Sequence, residues 1–377
     1  MKTRMAAVSC LMLGLAACEG QPEEPDNTYL EGVPEQAALE IRVTDDAQSE
    51  ALAGDEDAIA ASAVTADLTQ LSAALEGDVA DGLHGAQQGI RELNQALRRF
   101  LGPIVAMVRN VEPDEVQANV AQWGPTVRGT TEYRLFVRKG ALKRYGWLLQ
   151  ARPEGSDGAY ANVAAGRIAV GDVVRRGMGT IGVDLDAFGA VDPTVAARGK
   201  ILGSFAHGPR GTVLAYALKN FTHSEEDTTP ISAAFQGVHL LGGYNRVRLA
   251  FHGNLPESAS EAEELLLARV RHHRGDGGRA DALVTGGDVA DGRIWVASEC
   301  WDRDEGSTFR AVLDCPGDGP GGDQCTVVNT WGDRTACARD LRDPELPPLN
   351  PEEHMDDSES PEADLLPPDE MPNGDSE

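Results

Sequence analysis

Between residues 112 and 339 the apolar side chains recur at every second position in short runs, and a period of two buries one face only if the run is a β-strand. The runs Glu132 to Arg138, Tyr145 to Ala151, Ala159 to Val170, Ile181 to Leu185, Lys200 to Ala206, Thr212 to Lys219, Ala233 to Leu240, Arg246 to His252, Leu265 to Arg271, Ala280 to Thr285, Arg293 to Cys300, Phe309 to Cys315 and Thr326 to Asn329 all have this form. In one of them Val247, Leu249 and Phe251 alternate with Arg246, Arg248, Ala250 and His252, so one face is buried and the other wet. Turn formers such as Gly208-Pro209-Arg210-Gly211 and Asp276-Gly277-Gly278 separate the runs at spacings suited to antiparallel hairpins. The pattern predicts a mainly β fold, a large antiparallel meander closed as a curved sheet, sandwich or barrel. An outer-membrane barrel needs strands of about 9–11 residues and aromatic girdles. These runs are shorter and aromatic residues make up 5% of the chain, which excludes that form.

Ahead of the strands, residues 67–111 read as a helical segment. Leu83, Ile90, Leu97 and Ile104 form one column of a seven-residue repeat, and Ala86, Leu93, Phe100 and Met107 form the other. Gly82, Gly85 and Gly89 weaken its first turns, and Gly102-Pro103 predicts a kink or end near Leu101 because proline cannot donate a backbone hydrogen bond. The uninterrupted repeat is too short for a coiled coil, so the helix is expected to pack on its own domain. A weaker helix is expected from Asp67 to Leu75.

The net charge of −28 is concentrated at the two ends. Residues 19–68 hold 14 acids and one base (Arg42), and residues 340–377 hold 14 acids and one base (Arg342), a net of −13 each. The strand-rich body is nearly neutral. High charge with few aromatic or branched residues leaves too little apolar surface to offset ordering entropy, so residues 18–66 are expected to be a flexible acidic tether and residues 340–377 a disordered, Pro-rich tail. A 50-residue tether has an r.m.s. reach of roughly 40 Å. Tails of this sign repel nucleic acid and anionic membrane surfaces, and their expected role is that of solvated spacers.

The first 18 residues give the location. Lys2 and Arg4 precede a short apolar run from Met5 to Leu13, the layout of a secretory signal. The run is too short to cross a bilayer, which takes about 20 apolar residues. Leu15-Ala16-Ala17-Cys18 resembles the lipobox of bacterial lipoproteins. That resemblance implies removal of residues 1–17 as a signal peptide, attachment of a diacylglycerol to the Cys18 thiol, acylation of the new amine, and anchoring to a membrane by lipid alone. With Glu19 after the cysteine, it implies the outer membrane of the bacterial envelope.

With Cys10 in the signal and Cys18 lipidated, Cys300, Cys315, Cys325 and Cys337 remain, an even number that argues two disulfides in an exported chain. They contain no Cys-x-x-Cys pair, which disfavours zinc. If the strands ending at Cys300 and beginning at Phe309 form a hairpin, Cys300 lies opposite about Phe309 and cannot reach Cys315. The expected pairs are Cys315 with Cys325 and Cys300 with Cys337.

Catalytic patterns are sparse. His272-His273 with Asp276 and Asp281 has metal-binding residue types, but adjacent histidines on a strand point to opposite faces. Asp318 and Asp323 offer oxygens suited to calcium without EF-hand spacing, and turn chemistry accounts for them. No nucleophile elbow, P-loop or His-Glu-x-x-His motif occurs. The sequence therefore predicts a non-enzymatic binding or structural lipoprotein with no catalytic residue, metal or cofactor. A periplasmic carrier of an apolar ligand, which a curved sheet with a helix against it resembles in architecture, is the alternative, and a hydrolase the third.

Overall fold

The computed structural model describes residues 29–34, 39–43, 80–171, 177–222, 230–253, 262–317 and 324–337. Cys18, the Asp67 to Leu75 helix, Asp318, Asp323 and the 340–377 tail lie outside them. The chain is mainly β. Fifteen strands pair in sequence order as one antiparallel, curved and unclosed sheet. They are β1 (Glu115–Gln117), β2 (Val120–Arg128), β3 (Thr131–Lys139), β4 (Arg144–Pro153), β5 (Ala161–Val170), β6 (Gly177–Asp184), β7 (Arg198–Gly208), β8 (Gly211–Thr222), β9 (Ile231–Leu240), β10 (Tyr244–Gly253), β11 (Glu264–His273), β12 (Gly277–Gly286), β13 (Arg293–Trp301), β14 (Ser307–Pro316) and β15 (Thr326–Gly332). Helix α1 (Asp81–Asn110) precedes the sheet, and a short α2 (Leu185–Val191) links β6 to β7.

Register explains why one face is a core. A single cross-strand row runs Trp123, Leu135, Leu149, Ala164, Val183, Ile201, Leu218, Ala233, Phe251, Leu266 and Val284 from β2 to β12. Every member is buried in one cluster with Leu83, Ile90, Leu93, Leu97, Leu101, Ile104 and Val108 of α1. A sheet that touches one helix from so many strands must wrap it, so this is the concave face. Aromatic rings on that face lie against glycines directly opposite on the next strand: Trp147 on Gly166, Phe205 on Gly179, Tyr216 on Gly203 and Trp301 on Gly278. A Cβ built on any of these glycines would stand 2.5–2.6 Å from the facing ring. The missing side chains let large rings lie flat where the sheet bends.

Two expectations are corrected. Of the kink or end expected near Leu101, the end does not occur: helix α1 continues through Gly102-Pro103 to Asn110. The proline costs about 3 kcal/mol in a helix interior. Burial of Leu101, Ile104 and Val108 returns roughly 1.5–3 kcal/mol each and outweighs it. Residues 18–66 are also not a free tether throughout. Leu39 and Ile41, each 1% exposed, and Val43 are buried in the core. The Asn94 side chain of α1 holds Ile41 through both backbone groups, accepting from its N–H at 3.1 Å and donating to its carbonyl at 2.8 Å. Tyr145 donates to Glu31 at 3.0 Å, and burial together with that carboxylate pushes its phenol up to about 12. Alternating apolar residues let this segment enter the core despite its acidic surroundings.

Candidate functional site

Helix α1, residues 39–43 and Leu185 of α2 are buried against the concave face, which carries an ionic clamp at the helix start. Ala80 supplies no side-chain cap to α1. Instead Glu299 of β13 reaches across and accepts from the Gly82 N–H at 2.7 Å, placing a carboxylate at the positive end of the helix. Glu299 also accepts from Ser307 Oγ at 2.7 Å and Arg310 Nη2 at 2.8 Å. The same Arg310 nitrogen reaches Asp81 Oδ2 at 2.7 Å. Arg310 is 1% exposed, so one buried cation holds two carboxylates. A Cβ on Gly82 would lie 2.9 Å from Ala280 Cβ and 3.1 Å from Glu299 Oε2, so glycine permits this approach. The arrangement fixes the helix to the sheet and offers no substrate access.

The convex face is different. Its polar positions on β10 to β13 fall into two adjacent cross-strand rows. One reads Arg246, Arg271, Arg279, Cys300. The other reads Arg248, Arg269, Asp281, Ser298. Five arginines thus share two rows with one aspartate, and Arg246 with Arg271, Arg271 with Arg279, and Arg248 with Arg269 stand directly opposite one another, where like charges repel. Three guanidinium groups converge on Asp281. Arg279 binds Oδ1 at 2.7 Å, and Arg269 and Arg271 lie 3.8 Å from Oδ2. Ser298 completes the set, donating to Asp281 Oδ1 at 2.8 Å and accepting from Arg279 Nη2 at 3.1 Å. Arg279 and Arg271 side chains are 6% and 10% exposed, whereas Arg269 is 29% exposed and Arg246 and Arg248 are half-buried. The surface is a shelf of planar, permanently charged donors whose geometry suits carboxylates and other oxyanions.

A second convex cluster, on β3 to β5, is built around a tyrosine ring. The Tyr160 ring is sandwiched by the guanidinium groups of Arg134 and Arg152, at 3.9 and 4.3 Å from its centroid. Glu132 accepts from Tyr160 Oη and, at 3.0 Å, from Arg152 Nη2. These two donors, Tyr160 first, hold the Glu132 carboxyl below its ordinary range. Burial, then the Glu132 bond, pushes the Tyr160 phenol up. Gln150 accepts from Arg134 Nε at 2.6 Å and donates to Asn162 Oδ1 at 2.7 Å, which ties the three strands together.

The residues singled out from sequence fall as follows. Cys300 pairs with Cys337 and Cys315 with Cys325, with Cα separations of 5.6 and 4.2 Å. Cys300 stands opposite Phe309 in the β13–β14 register. His272 faces the core, where Trp301 Nε1 donates to it at 3.3 Å, while His273 reaches Asp276 at 3.0 Å on the other side. Asp281 belongs to neither histidine but to the arginines. Among the described residues no group of three or more His, Cys, Asp or Glu could hold a metal ion, and no helix is long and apolar enough to cross a membrane. Sequence reasoning missed the convex arginines as a site. The signal was present as Arg-x-Arg in Arg246 to Arg248 and Arg269 to Arg271, yet only cross-strand register shows that the two pairs coincide. No family model matches this chain, and comparisons with curated proteins and with solved structures found no match.

Proposed function

We propose that this chain is a lipid-anchored protein of the bacterial envelope that acts by binding, not catalysis, and that its convex arginine shelf receives the anionic groups of its partner. The observation that carries the binding reading is the ratio of five arginines to one aspartate in two adjacent rows. Bidentate guanidinium–carboxylate bonds supply direction as well as charge. The filled concave face argues against the alternative of an apolar-ligand carrier. The anchor reading rests on Leu15-Ala16-Ala17-Cys18.

Two experiments test the two halves. Cys18→Ser should move the protein from the detergent phase to the aqueous phase or leave it unprocessed; unchanged partitioning, with no lipid mass on the N-terminal peptide, contradicts the anchor. A chain truncated after Cys337 should be retained on heparin, a polyanionic probe, and elute earlier once Arg248 and Arg269 are replaced by Gln. Flow-through of the truncated chain at low salt rules out the anion-binding surface.

A further inference from the structure

We infer that one end of the sheet, the rim formed by the hairpin tips β3–β4, β7–β8, β9–β10 and β11–β12, docks on a bilayer surface that contains anionic phospholipid. The inference goes beyond the arginine shelf and needs neither that shelf nor Cys18. In an antiparallel meander every second connection falls at the same end of the sheet, so these four tips share one rim. Backbone hydrogen bonds tie three of them together: the Leu241 N–H donates to the Arg210 carbonyl at 3.0 Å, and the Arg274 N–H to the Gly243 carbonyl at 2.9 Å. The two most exposed large apolar side chains of the described residues stand here, Leu142 at 85% and Leu241 at 76%. Leu142 is held out by a turn in which both it and Lys143 take left-handed backbone, φ 56° and 53°, a conformation that bulky side chains rarely adopt. Just behind the tips on the convex face, exposed Met178 and Val213 lie in one cross-strand row with only Ala206 between them. The apolar surface is therefore a patch and not a scatter of single residues.

Charge complementarity names the occupant. Beside the leucines stand Lys143, Arg144, Arg210 and Arg274, all exposed, and from β3 to β12 the one acid among the described residues of the rim's connections is Asp276. The β13–β14 tip, with Asp302, Arg303, Asp304 and Glu305, ends this basic arc. At the opposite end of the sheet the described connections carry Glu154, Asp157, Asp186, Asp192, Asp288 and Asp291 and no Lys or Arg. A body with bases at one end and acids at the other is turned by a negative surface until its basic end faces that surface. With adjacent strands about 4.8 Å apart, the two leucine tips stand about 29 Å apart along the rim, and Arg210 lies between them. Two apolar points set in a basic arc fit a surface that is anionic outside and apolar within: the leucines pass below the phosphates that the guanidinium and ammonium groups bind. A soluble polyanion would engage the cations and leave the leucines wet. The acidic ends of the chain have the opposite sign, but at about 0.15 M salt their field is screened within about 8 Å.

Vesicle flotation tests this with a chain that starts at residue 18 and carries Cys18→Ser, so that neither an acyl group nor the apolar run Met5 to Leu13 can hold lipid. At about 0.15 M salt it should float with vesicles of roughly equal phosphatidylglycerol and phosphatidylcholine and stay behind with phosphatidylcholine alone. Leu142→Ser with Leu241→Ser should weaken partitioning into the anionic vesicles at least about tenfold. Lys143→Gln, Arg144→Gln and Arg210→Gln together should weaken it by at least about the same factor. Val327→Ser with Val328→Ser, which removes exposed apolar side chains at the far end of β15, should leave it unchanged. All of these positions are exposed, and melting equal to that of the parent shows that the variants are folded. Failure to float with the anionic vesicles, or flotation indifferent to the leucine pair, overturns the inference. Flotation that survives the leucine substitutions but is lost on adding inorganic phosphate makes the rim a site for soluble anions and overturns it as well.

Discussion

On the concave side one buried arginine serves two carboxylates; on the convex side three arginines converge on one. Arg310 holds Asp81 and Glu299 within 2.8 Å and is sealed from water, and its partners in turn cap a helix. Asp281 is approached by Arg269, Arg271 and Arg279, two of them at 3.8 Å. The same residue type is spent on opposite tasks. A buried cation whose charge is matched locally is a structural pin, and removing it strands its partners. A cross-strand group of five arginines on the outward face presents guanidinium donors suited to oxyanions, which marks it as a surface for recognition.

The largest effect should come from breaking the pin. Arg310→Met leaves Glu299 buried beside the helix start with its counter-charge gone. We expect a loss of about 3–5 kcal/mol. For a domain of this size that lowers the midpoint of thermal unfolding by roughly 6–20 °C, readable by far-UV circular dichroism. A shift of a degree or less would show that Arg310 is not the pin described.

Next in size is the disulfide at the end of the convex arginine row. Replacing Cys300 and Cys337 together by Ala should cost about 2–4 kcal/mol in unfolding free energy through the freed unfolded chain. Denaturant titration checks this.

Much of this architecture is legible in the sequence, and the failures have physical causes. The period-two runs locate β3 to β15 to within a few residues because each buries one face. The first two strands, β1 and β2, were not legible. β1 is three exposed residues, and β2 carries Gly124-Pro125, which reads as a breaker until a bulge between Trp123 and Thr126 absorbs it. Leu39, Ile41 and Val43 have the spacing of a strand, but the acids around them masked it. The arginine shelf was hidden for a different reason. Alternation shows that Arg246, Arg248, Arg269 and Arg271 share a face, yet which of them stand opposite depends on register, and a one-residue slip turns every side chain to the other face.

A smaller effect is expected at the Tyr160 cluster of the convex face. Glu132 is held below its ordinary range by Tyr160 and Arg152, so its contribution is present above the unfolded value of about 4.3 and is lost as pH falls through the lower folded value. In Glu132→Gln that loss is absent, and stability should fall less steeply than in the natural chain below about pH 4. Parallel acid-unfolding curves would show that the cluster does not depend on the Glu132 charge.

The most direct test of the binding surface measures stability and anion affinity on one variant. Arg248→Gln with Arg269→Gln, in the chain truncated after Cys337, removes two like-charge neighbours from the shelf. The account predicts unfolding free energy within about 1 kcal/mol of the parent, because facing like charges are destabilising. It also predicts heparin affinity weakened at least tenfold, about 1.4 kcal/mol, with the difference shrinking as salt rises. A variant that unfolds several kcal/mol more readily yet binds heparin as tightly as its parent would make the shelf a second structural pin and contradict the account.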